Sequence, residues 1–174
     1  MTVTPSPSRA GRWPVLRPWL GVAARLGLAA VWLFAGATKV GDLAASGRAV
    51  NAYQVLPYDL ATVIGAALPF VELALGVLLL VGLATRLTAG VSAALLVVFI
   101  AGIASAWARG LAIDCGCFGT GGELAAGETP RYLPEILRDL GFLALAGFLL
   151  IWPRTPFSVD GALAGDDTVE DEDE

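Results

Sequence analysis

Apolar positions gather into four long runs, at residues 19–37, 60–83, 87–107 and 133–152, divided by more polar stretches. Each run has the length of about 20 residues that a helix needs to cross ~30 Å of hydrocarbon at 1.5 Å per residue. The first is broken only by Arg25, close enough to one end for its guanidinium to snorkel to the headgroups. The second is broken only by Glu72, and the third carries no charge. The fourth holds Glu135, Arg138 and Asp139 in its first two turns. Leu140 to Trp152 alone is too short to cross, so those charged turns are expected to be partly immersed or solvated near the surface. Thr85 and Arg86 form so short a connection that the second and third runs are expected to lie antiparallel, side by side. The pattern predicts an all-α integral membrane protein of four spans. Stretch 38–59, punctuated by Gly41, Gly47 and Pro57, and glycine-rich stretch 109–132 are expected to be loops. Residues 1–18 read as a disordered basic leader and 154–174 as a disordered acidic tail, neither having apolar surface enough to fold.

Composition supports the membrane class, because 56% hydrophobic and 16% charged residues lie outside the range of soluble domains. The formal charge of −5 divides unevenly: half of the acidic residues fall from Asp160 onward, and the chain before that point is net basic. Its basic residues are scattered between apolar runs, which gives no footprint for nucleic acid. The chain has no histidine, which excludes His-ligated haem, His-containing zinc sites and imidazole catalysis. An even number of spans puts both termini on one side, with Arg9, Arg12, Arg17, Arg25, Arg86 and Arg154. The N-terminal cluster weighs most in orienting a first helix. The expected location is therefore the cell membrane, multi-pass, with cytoplasmic termini and the 109–132 loop outside, where disulfides persist.

The sharpest chemistry is Asp114-Cys115-Gly116-Cys117-Phe118-Gly119, which holds the only two cysteines. Two thiols one residue apart can close on each other without a long loop search, and Gly116 allows the bend by taking positive φ. Such a small ring fits relaxed disulfide geometry poorly, and strained, exposed disulfides are the ones that exchange. Three readings stand: a redox-exchanging pair, a structural pair, or a soft-metal clip with only two thiolates. Asp114 is either a proton relay or an Asx-type cap of the turn. Glu72 falls near the middle of a span, three residues after Pro69, where a carboxylate is costly unless paired. Lys39 and Arg138, at the outer ends of the first and fourth spans, are its expected partners.

Several segments together resemble the methylamine utilisation protein E (MauE) family, relatives of the DoxX-like membrane proteins. They are Phe34-Ala35-Gly36-Ala37-Thr38-Lys39, Ala52-Tyr53-Gln54-Val55-Leu56-Pro57, Leu68-Pro69-Phe70-Val71-Glu72-Leu73 with Gly76, and Arg109-Gly110 followed by the cysteine motif. The resemblance covers roughly residues 20–152 and implies a four-helix membrane bundle. In the family's namesake it implies maturation of a disulfide-rich extracytoplasmic dehydrogenase subunit; nothing in this chain marks methylamine as the pathway. A thiol oxidoreductase of this kind would use Cys115 and Cys117 as the redox pair. Glu72, Asp114, Lys39 and Arg138 would be its polar and proton-handling groups. Its electron acceptor would be a membrane quinone and its partner an extracytoplasmic thioredoxin-like or disulfide-containing protein. The competing reading is a non-enzymatic membrane scaffold.

Overall fold

The computed structural model describes residues 13–116, 121–125 and 127–166. Helix α1 (Trp13–Lys39) is followed by α2 (Leu43–Ala52), α3 (Tyr58–Val81) and α4 (Thr85–Ala108). A two-stranded antiparallel hairpin, β1 (Ile113–Asp114) and β2 (Gly122–Glu123), leads to α5 (Tyr132–Ile151) and the short α6 (Val159–Asp166). Helix α1 thus starts within the stretch read as a leader, and α2 and the hairpin fall in stretches read as loops.

Helix α2 forms despite its central glycine because that glycine is needed for packing. A Cβ on Gly65 of α3 would meet the Gly47 Cα at 2.6 Å and the Ser46 carbonyl at 2.5 Å, so bare backbones cross here. Asp42 caps the start of α2 by accepting from the Ala45 N–H at 2.8 Å. The same device brings α1 against α3. A Cβ on Gly36 would meet the Pro69 carbonyl at 2.8 Å, and one on Gly76 would meet the Leu33 amide nitrogen at 2.9 Å. Small residues let helices approach where lipid gives no hydrophobic drive between them.

These contacts decide the arrangement. Helix α3 packs chiefly on α1 and α2, α4 packs chiefly on α5, and α1 also touches α5. The sequence led us to expect α3 and α4 side by side; instead they are joined by a three-residue turn yet touch little. Leu28, Trp32, Leu79, Leu96 and Leu149 form the core where the long helices meet. Within it the Trp32 indole N–H donates to the Ser92 hydroxyl at 3.0 Å, tying α1 to α4. Ala52, Ile103, Ala106, Ile113 and Tyr132 form a second cluster beneath the hairpin.

Val63, Phe70, Val77, Leu87 and Val98 are exposed along α3 and α4, an outer surface suited to lipid. Three helices, Leu16–Lys39, Tyr58–Val81 and Thr85–Ala108, are long and apolar enough to cross a membrane. The expectation of four spans is therefore met by length and composition in three. Helix α5 has 20 residues, enough for ~30 Å, but its early turns carry Glu135, Arg138 and Asp139.

At the end of the molecule away from the cysteines, two further expectations change. Arg25 does not snorkel outward: it is buried, and its Nη2 donates to the Phe157 carbonyl at 2.8 Å. Nor is the tail without structure from 154, since residues 154–166 fold back over the α3–α4 turn. There the Asp160 carboxylate accepts from the Ala84 and Thr85 backbone N–H groups, both at 2.7 Å, and its own N–H donates to the Gly82 carbonyl. Ala84 has no side chain able to cap α4, so a carboxylate from 76 residues away does so.

Candidate functional site

Asp114 ends β1, Cys115 and Gly116 follow it, and this described part of the motif is held from several directions. The Tyr53 hydroxyl donates to the Cys115 carbonyl at 3.1 Å. Arg109 in turn donates to the Tyr53 carbonyl, fixing the end of α4 to the chain after α2. The Tyr132 hydroxyl accepts from the Ile113 N–H and donates to the Leu111 carbonyl, anchoring the hairpin base to α5. Gly116 has φ +68°, and a Cβ there would come within 3.1 Å of the Gly121 Cα and 3.3 Å of the Ala49 Cβ. Gly116 and Gly121 thus lie close to each other and to α2, and at Gly116 glycine satisfies both the space and the backbone angle.

Cys115 is half-buried. Its Sγ lies 3.8 Å from Nη2 of Arg138, which itself pairs with the buried Asp139 at 2.9 Å. Ligating atoms of Asp114, Cys115 and Glu135 lie within 4.8 Å of one another, which sets the Glu135 carboxylate beside the Cys115 sulfur. One turn of α5 therefore sets a cation and a carboxylate around the sulfur. The guanidinium favours a thiolate and the carboxylate can take a proton from a thiol. Asp114 itself accepts from the Gly116 N–H at 3.1 Å through Oδ1, the Asx-type contact weighed against a relay role in the sequence. Cys117, the other predicted half of the pair, lies outside the described residues.

Glu72 and Lys39 form a separate buried pair, with Nζ and Oε1 2.5 Å apart. Of the two cations expected near Glu72, Lys39 is the one that reaches it, because the glycine contacts draw α1 onto α3. Arg138 is turned to the cysteine hairpin instead. The two groups of residues share an apolar pocket of about 280 Å³ between α2, α3 and α4, lined by both Lys39 and Cys115. The sequence reading did not single out Glu135 as a site residue, nor Tyr53 as a support for the hairpin. Glu135 was visible only as one of three charges in the early turns of the fourth run, and Tyr53 only as part of a segment carrying the family resemblance.

The chain matches the model of the family described as methylamine utilisation protein MauE over residues 17–152. It belongs to the MauE family. No curated protein and no solved structure matches it. In this MauE-family chain the motifs behind the resemblance have a common physical sense. Gly36 to Lys39 and Pro69 to Gly76 form the close crossing that buries the Lys39–Glu72 pair, while Tyr53 and Arg109 clamp the cysteine hairpin.

Proposed function

We propose that this membrane protein is a thiol–disulfide redox component that acts on extracytoplasmic proteins through Cys115 and Cys117. The observation that carries the reading is the setting of the Cys115 sulfur, half-buried between the Arg138 guanidinium and the Glu135 carboxylate. A structural staple needs no such pair of groups; a thiol that must ionise and be oxidised does. In this reading α5 is the fourth span, its Arg138–Asp139 pair covering the two charges that would otherwise face lipid. The termini are cytoplasmic and the hairpin is outside, where a thioredoxin-like partner would meet it. The reaction is exchange: a thiolate of the partner attacks the Cys115–Cys117 disulfide, a mixed disulfide forms, and the partner's second thiol resolves it, leaving the partner oxidised and the pair reduced. Maturation of a disulfide-rich client, the role attached to the family's namesake, requires this chemistry whether or not the client handles methylamine.

Labelling intact cells with a membrane-impermeant thiol reagent, before and after reduction, tests sidedness and oxidation state together. Reduction should expose both cysteines to the reagent, and one of Cys115→Ser or Cys117→Ser should trap a mixed disulfide with a partner. Arg138→Gln should move the midpoint of Cys115 alkylation to higher pH. Cysteines reachable only from the cytosol, or indifferent to reduction, would sink the reading. A metal clip is the second reading, favoured by the closeness of Asp114, Cys115 and Glu135. It predicts a stoichiometric metal in the purified protein that is lost in Glu135→Gln, with no mixed disulfide in either cysteine variant.

A further inference from the structure

Because α3 and α4 diverge, the space between them is closed by α2 and the cysteine hairpin rather than by each other. We propose that the resulting pocket seats the ring of a lipid-soluble quinone, which receives the electrons of the cysteine pair; this rests on the thiol reading above. The pocket volume, about 280 Å³, sits at the lower edge of the ~300–1,000 Å³ typical of small-molecule sites. That suits one substituted ring and not an entire lipid. Its wall is almost wholly apolar, with the aromatic rings of Tyr53 and Phe99 available to a flat ligand. Val55, Ile64 and Val98 border it and are exposed on the outer surface, so an isoprenoid tail can trail from the pocket along the helices.

The polar groups in the wall are the ones this ligand needs. Lys39 lines the pocket and is 6% exposed, with its ammonium paired to Glu72; it is the cation available to donate to a quinone carbonyl as negative charge develops there. Cys115 and Gly116 form another part of the same wall. An acyl chain would leave both the buried cation and the sulfur without purpose. The electron balance points the same way. Two S–H bonds break, one S–S bond forms, and the two electrons and two protons released convert quinone to quinol. With two cysteines in the whole chain, no second pair within it can relay these electrons, and the pocket wall is where an acceptor would meet the pair directly.

The test uses the full-length protein in lipid nanodiscs and a photoreactive azido-ubiquinone, with decylubiquinone and decylbenzene as competitors. Two variants narrow the pocket: Gly102→Leu, where even a Cβ would lie 3.3 Å from the Tyr53 ring, and Val98→Trp at an exposed position that tolerates bulk. Decylubiquinone should suppress labelling of pocket peptides and decylbenzene should not. In both variants, quinone-driven oxidation of the cysteines relative to glutathione-disulfide-driven oxidation should fall by at least about tenfold. Equal competition by decylbenzene would make the pocket an acyl slot and overturn the proposal, as would labelling unaltered in both variants. Quinone-specific labelling of a protein whose cysteines never exchange with glutathione disulfide would sink the thiol reading and keep the ligand site.

Discussion

The buried Lys39–Glu72 pair offers the most direct measure of how this fold manages charge within apolar surroundings. Their side chains are 6% and 1% exposed, with 2.5 Å between Nζ and Oε1. Taking either partner away leaves the other as an uncompensated buried charge, which costs about 3–5 kcal/mol. Glu72→Leu and Lys39→Met should each destabilise by that amount. The double variant removes both charges and fills the same space with apolar atoms, so it should lie within about 1 kcal/mol of the wild type. Glu72→Gln should fall between, since its amide oxygen can still accept from Lys39 but brings no charge. Reversible unfolding in mixed micelles, run as a double-mutant cycle, reads the coupling directly. A double variant as unstable as the worse single one, or a coupling below about 0.5 kcal/mol, would refute the claim that the pair acts as a unit. Those results would mean that water or lipid headgroups already reach one partner.

Two other perturbations probe separate parts of the molecule. Gly65→Ala should destabilise by about 1–3 kcal/mol in the same unfolding assay, because the added methyl would meet backbone atoms of α2. Gly141→Ala, with nothing within 4 Å, should be neutral or slightly stabilising, and a comparable loss at both sites would remove the case for a backbone crossing at Gly65. Burial alone would raise the Asp160 pKa, but hydrogen bonds from Thr85 and Ala84 and the Arg25 charge outweigh it and leave the pKa lowered. A depressed folded-state value means that its contribution is complete above the unfolded carboxylate range and is lost as pH falls below about 4. Protection factors at the Ala84 and Thr85 amides, with the intrinsic pH dependence of exchange divided out, should therefore be high at neutral pH and fall in acid. In Asp160→Asn this acid step should disappear; its persistence would assign the transition to another group.

Much of this protein is written in runs of residues. The apolar lengths fix three membrane-compatible helices, and the charges of the fourth run mark why α5 stands apart from them. The composition also points to a single thiol motif, and the cost of a lone carboxylate in a span announces that Glu72 must have a partner. These inferences work because solvent exclusion over ~20 residues and the cost of buried charge act on any chain, whatever it packs against. What the sequence could not reveal was which surfaces meet. Gly47 reads as a helix breaker until Gly65 is seen against it, and Arg25 reads as a snorkelling side chain until residues 155–160 are seen to cover it. Arg138 reads as a partner for Glu72 until α5 is seen to face the cysteine hairpin. Glycine contacts drew α3 toward α1 and α2 and away from α4, and so opened the pocket that brings Lys39 and Cys115 to one wall. Such choices depend on distances between residues far apart in the chain, and only the packed helices set those distances.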